Sequence, residues 1–204
     1  MRKLVPGLFL LLGLVLAAPR PALATRIFVP RQHKTIQKAI DAASPGDTVW
    51  VGPGVYRGPI VMKKRLTLFA DQGPDTTVLD GGDSVRVLQI EGVKNAAVVG
   101  FTIRRGHANS GGGIACVADT AIMIATCLIE KNWESGIAVW QSRDIDMHEI
   151  QFVENSGSAI SLDGSGVAIR DCLFLKNKSY AGGAISMNKS EHPKTFPTCV
   201  FDIP

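Results

Sequence analysis

The stretch that decides the fold is GGGIACVADTAIMIATCLIEKN at residues 111–132, because the chain repeats it twice. SGIAVWQSRDIDMHEIQFVEN follows at 135–155, and SAISLDGSGVAIRDCLFLKN at 158–177. Each copy opens on small residues and an Ile, passes through short apolar alternations and stops at an Asn. Aligned on that stop, Gly82, Gly106, Asn132, Asn155 and Asn177 are spaced by 24, 26, 23 and 22 residues. Three alternations recur between stops. Ile114/Cys116, Ile137/Val139, Ile160/Leu162 and Ile185/Met187 form the first. Ile122/Ile124, Ile145/Met147 and Val167/Ile169 form the second, and Cys127/Ile129, Ile150/Phe152 and Cys172/Phe174 the third. Period two is the strand period, with alternate side chains facing inward. Strands this short make no independent sheet, and repeats under about 30 residues leave no room for crossover helices. A coil whose strands pair with those of the next coil meets both constraints. It predicts one all-β domain of about five coils, with three short parallel sheets around one core. An Asn at each turn can hydrogen-bond its neighbours above and below, and Asn tolerates a left-handed backbone.

The segments outside the repeat assign the ends. Residues 1–24 read as a cleaved signal peptide: a basic MRK, the apolar run LVPGLFLLLGLVLAA, then ALA before the mature start near Thr25. That leader carries Arg2, Lys3 and Arg20 and no acid, so the formal charge falls from +4 to +1 on its removal. A basic balance residing in a discarded leader gives no reason to expect nucleic acid, and after cleavage no membrane segment is expected. TIQKAIDAA places Ile36, Ala39, Ile40 and Ala43 at helical spacing behind Thr35 as N-cap, which predicts a helix over 35–44 lidding the first coil. The β domain is read over 25–190. After Met187 the chain turns proline-rich, so 191–204 is expected to be irregular, and the open last coil to self-associate or fray. Cys127 and Cys172 share a register two coils apart, with Ile150 between them. At about 9.6 Å they lie beyond disulfide reach.

The opening TIQKAIDAASPGDTVWVGPGVYRGPIVMKKRLTLFADQGPDTTVLDGG, with GFTIRRG…GGGI and the coils that follow, resembles the right-handed parallel β-helix superfamily that includes pectate lyases and pectin methylesterases. The resemblance covers about residues 27–190. It implies the pectin-lyase-like fold and a polysaccharide partner, but no particular reaction. Where the polygalacturonase branch has paired Asp residues, this chain has Glu134 and Ser135 in NWESGIAV. The neighbouring coils have SGGGI and GSAI in place of Asn-x-Asp and Gly-His-Gly. The W-I-D-H and R-x-P-x-x-R patterns of pectate lyases are missing, as are the Q-D-T and G-x-x-D-F-I-F-G patterns of pectin methylesterases.

In this superfamily the ligand groove follows the first sheet. Ala115, Ala138, Ser161 and Ser186 would give it a smooth floor, with Val117, Trp140, Asp163 and Asn188 along the downstream rim. Trp133, Glu134 and His107 stand upstream. Candidate substrate-binding residues are therefore Trp133, Glu134, Trp140 and Asp163. A Trp ring stacks on a pyranose face while polar neighbours bond its hydroxyls; partial burial under a turn is the alternative for each Trp. Glu134 and Asp163 on opposite rims would be about 15 Å apart, too far for paired acid–base catalysis. Catalytic residues are not identified. No metal site or cofactor is expected, although Glu149 stacked on Asp171 could hold calcium. The expected function is to bind or process an extracellular or periplasmic polysaccharide. The alternatives are a non-catalytic structural or surface-adhesion module and a periplasmic protein of metalloenzyme maturation.

Overall fold

The structure, a computed structural model, describes residues 24–179, 183–189 and 197–201. The leader read over 1–24 falls outside that range except for Ala24, and the tail except for 197–201. The chain winds through three parallel sheets. The first has six strands: Ile60–Met62, Leu88–Glu91, Ile114–Val117, Ile137–Trp140, Ile160–Asp163 and Ile185–Asn188. The second has seven: Arg26–Val29, Thr48–Val51, Thr67–Ala70, Lys94–Val99, Thr120–Ala125, Ile145–His148 and Val167–Arg170. The third also has seven: Gly54–Arg57, Thr77–Asp80, Thr102–Arg104, Leu128–Glu130, Gln151–Val153, Leu173–Leu175 and Val200–Phe201.

This makes about seven turns rather than the five expected. The two extra coils lie near the N-terminus, where the period is irregular. The inward positions Val49, Leu68 and Val98 stack in register although 19 and then 30 residues separate them. From Val98 through Ile124, Met147 and Ile169 the spacing settles to 26, 23 and 22. Two residues of the tail also pair: Val200 and Phe201 lie opposite Leu173 and Phe174.

The three alternations face inward as expected and make one continuous apolar core, except in the last coil, where Ile185 is only partly buried and Met187 is exposed. The Asn stack forms too. Asn132 donates from Nδ2 to Asn155 Oδ1 at 3.1 Å, and Asn155 from Nδ2 to Asn177 Oδ1 at 2.8 Å. Each of these Oδ1 atoms also accepts the backbone N–H of the Asn one coil earlier. The left-handed residues, however, are the ones just before the stop: Arg105 before Gly106, and Lys131, Glu154 and Lys176 before the Asn residues, with φ of 50–52°. Lys131, Glu154 and Lys176 are exposed at the bend, while Asn132 and Asn155 behind them are buried. The other two corners follow the same rule, with Ala118, Gln141, Gly164 and Lys189 at one and Thr126, Glu149, Asp171 and Thr198 at the other.

A second polar stack holds the corner between the first and second sheets. Asp119 accepts the backbone N–H of Val93 at 2.7 Å and of Val117 at 2.9 Å. Ser142 Oγ accepts from Asp119 N, and Ser165 Oγ from Ser142 N. At the N-terminal end the helix runs over Ile36–Ala42, shorter than 35–44 because Ala43 is already extended. Thr35 accepts from Lys38 N as the N-cap, while Ile36, Ala39 and Ile40 cover the core. The helix C-terminus is closed from outside: Lys64 Nζ donates to the carbonyls of Ile40, Asp41 and Ala43 at 2.8–3.2 Å.

Candidate functional site

The parallel register of the first sheet sets two outward rows. One contains Val61, Gln89, Ala115, Ala138, Ser161 and Ser186. The other contains Glu91, Val117, Trp140, Asp163 and Asn188. Trp140 and Asp163 are thus Cα partners on adjacent coils, as the repeat alignment requires.

The smooth open floor is corrected by the structure. Ala115 and Ala138 are both 0 % exposed. Part of the turn at 106–113 lies on Ala138: Gly111 has φ +61°, and a Cβ added to it would meet the Ala138 methyl at 2.8 Å. Small residues stand there because a loop packs on them. That loop is pinned by Arg86, which donates to Gly111 O at 3.0 Å, Ser110 O at 2.9 Å and Gln89 Oε1 at 3.0 Å. Gly111 N in turn donates to Ser135 Oγ at 2.9 Å.

What remains open is a polar track along the sheet. Lys63 pairs with Glu91 at 2.9 Å, Gln89 donates to Glu91, and Arg86 bonds Gln89. The Arg86 guanidinium then stands 5.9 Å from the Trp140 ring centroid, within cation–π range. Burial pushes the Arg86 pKa below its ordinary value. Lys63 holds Glu91 below its own. Trp140 is half-buried, with Asp163 beside it. Past the ends of the strands that carry Trp140 and Asp163, residues 141–146, 164–168 and Lys189 line a separate cleft of about 720 Å³.

The four sequence candidates split into two pairs. Trp140 and Asp163 share the downstream rim. Trp133 and Glu134 lie in the turn before Ile137, at the other end of the strand. Trp133 is 53 % exposed and stacks on His107, with ring centroids 5.2 Å apart and planes within 4°. It is not buried under a turn. Glu134 is exposed, with φ 66°.

Arg86, Gln89, Glu91 and Lys63 were not legible in the sequence. Their coil is offset from the regular repeat by long turns, so the spacing that aligned Trp140 with Asp163 stops short of them. The QIE of residues 89–91 carries the alternation that could have extended the row.

The charged stacks resolve into local partners. Lys131 meets Glu154 at 3.9 Å, but Arg105 turns to Asp80, which also binds Arg57 and Arg104. Glu149 accepts from Thr126 and Asp171 from Thr198, so each of these stacked acids has a hydroxyl donor. His148 is largely covered, with Nδ1 3.3 Å from Asp146 Oδ2; Arg170 also binds Asp146. Among the described residues no three His, Cys, Asp or Glu side chains form a metal-binding group. No helix there is long and apolar enough to cross a membrane.

Two solved structures share the architecture. One is described as a "putative glycosyl hydrolase" from Parabacteroides merdae. It is 17 % identical with a TM-score of 0.50, over 81 % of this chain and 88 % of that one. The other is the pectate lyase Pel9A, 15 % identical with a TM-score of 0.51, over 75 % of this chain and 52 % of that one. Likeness at this identity shows the fold alone. No curated protein matches the sequence. The family described as "right handed beta helix region" matches residues 77–201. With more than half its length matched and its strands stacked in three parallel sheets, the chain belongs to the right-handed β-helix family.

Proposed function

We propose that the protein is exported and binds an extended polysaccharide across the open track of the first sheet, in an extracellular or periplasmic compartment. The observation that carries this reading is Trp140: an outward, half-buried indole with the Arg86 guanidinium 5.9 Å from its ring centroid and Asp163 as its register partner on the next coil. An apolar ring face flanked by a cation and an acceptor suits a pyranose, whose CH face stacks while its hydroxyls bond the flanks. The leader of residues 1–24 supplies the export.

Binding without cleavage is favoured by the spacing of the acids. Glu91 and Asp163 stand three coils apart in one row, about 14 Å from strand spacing alone. Glycosidase carboxylates lie about 5–9.5 Å apart. A surface-adhesion module is the form of this reading in which no chemistry occurs.

A glycan array on the mature protein, with product analysis on every ligand found, tests both parts. Trp140→Ala should weaken binding by about 1–2 kcal/mol, roughly five- to thirtyfold in Kd. A folded variant with unchanged affinity would move the binding surface elsewhere. Cleavage products absent from a boiled control would overturn the binding-only assignment.

A further inference from the structure

The third alternation carries a cysteine row that the repeat alignment leaves unfinished. The core ladder at its start reads Phe101, Cys127, Ile150, Cys172, and Cys199 extends it. The placement of Cys199 is fixed on both sides. Val200 pairs with Leu173, Val200 N donates to Cys172 O at 2.9 Å, and Asp171 N donates to Pro197 O at 3.1 Å. Thr198 and Asp171 are joined through their side chains as well. Cys172 and Cys199 are therefore register neighbours on adjacent strands, about 4.8 Å apart at Cα by strand spacing. Disulfides span about 4.4–6.8 Å at Cα. Cys127 is excluded, because Phe101 and Ile150 are its neighbours.

We propose that Cys172 and Cys199 form a disulfide that staples the last described coil to the one before it when the protein meets an oxidising compartment. Both are free thiols here, Cys172 buried and Cys199 half-exposed. Cys199 is the sulfur an oxidant reaches first. Its thiolate attacks a small-molecule disulfide such as oxidised glutathione, breaking that S–S bond and releasing one thiolate. Cys172 then attacks the mixed disulfide and expels the second thiolate. One S–S bond forms and one breaks, the two cysteines are oxidised, and the glutathione takes up their two protons. Burial pushes the Cys172 thiol up to about 11, so the second step waits on opening of the end coil. That coil can open and adjust: among the described residues its strand pairs on one side, and Val200 and Phe201 are 59 % and 41 % exposed. A disulfide is also shorter between Cβ atoms than an in-register parallel pair ordinarily is, and only an end coil is free to close that gap.

The test is oxidation of the folded full-length mature chain with oxidised glutathione, followed by alkylation and tryptic mapping. The expected product is lighter than the dithiol form by two hydrogen atoms. It yields DCLFLK (171–176) joined to TFPTCVFDIP (195–204), a species abolished by reduction and by Cys199→Ser. Cys116 and Cys127 should remain alkylatable after unfolding. Amide exchange at residues 173–175 and 200–201 should slow at least tenfold on oxidation. Full alkylation of Cys172 and Cys199, a glutathione adduct that never resolves, or Cys199 joined only between chains would each overturn the proposal.

Discussion

Asp80 and Asp119 are both 1 % exposed, yet opposite forces act on them. Burial alone would raise the pKa of Asp80, but hydrogen bonds from Arg105, Gly82 and Arg104 outweigh it and hold the carboxyl below its ordinary value. Asp119 is raised by burial, because two backbone N–H groups offset only part of the lost hydration. The signs follow from linkage. Asp80 contributes stability above the unfolded carboxylate pKa of about 3.9, and that stability is lost as pH falls through its lower folded value. Asp119 does the reverse: the fold is favoured while it is protonated and loses stability as pH rises from about 3.9 through its higher folded value. Urea midpoints measured across this range should show Asp80→Asn less stable at neutral pH by about 2 kcal/mol and flatter at the acid end. Asp119→Asn should be flatter above the ordinary carboxylate value. An Asp119→Asn curve parallel to the parent would show that its ionisation is not linked to folding.

At the scale of elements, polar stacks fix each turn while apolar alternation fills the core between turns. Asn155 is 0 % exposed and serves four groups: the Asn132 backbone N–H, the Asn132 amide, Ile129 O and Asn177 Oδ1. Asn155→Ala removes a partner from all four: Asn177 Oδ1 keeps the Asn155 backbone N–H and the Asn132 amide keeps Ile103 O, but the Asn132 N–H and Ile129 O lose their side-chain partner in a dry interior, where each unmet buried group costs about 1–3 kcal/mol. A net loss of about 3 kcal/mol in denaturant unfolding is expected, with the loss concentrated in the coils on either side. A loss under about 1 kcal/mol would mean that water or a neighbour replaces the amide. The helical lid depends on Lys64 in the same way. Replacing it by Met keeps the stem but removes the ammonium from the carbonyls of Ile40, Asp41 and Ala43, of which Ile40 O keeps the Ala43 N–H. About 1 kcal/mol should be lost, and amide exchange should rise within 36–42 but not within 137–177. Uniform acceleration across the chain would refute a local cap.

For the molecule as a whole, the two ends are unequal. The helix covers one end, while the other presents Met187, Val200 and Phe201, each more than 40 % exposed. Phe201 still stacks on Phe174, and Phe174 on Phe152, so the aromatic core row runs to the last described coil. Among the described residues the strands at this end pair on one side, which makes it the weakest part of a linear stack. Exchange at 185–188 should exceed that at 137–140 at least tenfold in dilute reduced protein. Where sedimentation shows self-association, that difference should shrink with concentration. Equal protection in a strict monomer would identify the tail as an effective cap.

The coil, its three sheets, the Asn stack and the pairing of Trp140 with Asp163 were all legible in the sequence. Each follows from a period, and a stack of repeats converts sequence period directly into spatial register. Two things were not. The floor over Ala115 and Ala138 depended on where the turn at 106–113 lies, and the same alanines would suit an open groove or a covered one. The polar track from Lys63 to Arg86 and the partnering of Asp80 with three arginines required coils of 19 and 30 residues to stack in register. Repetition within the strands is local and written in the chain; the path of an irregular turn is settled only by what it packs against.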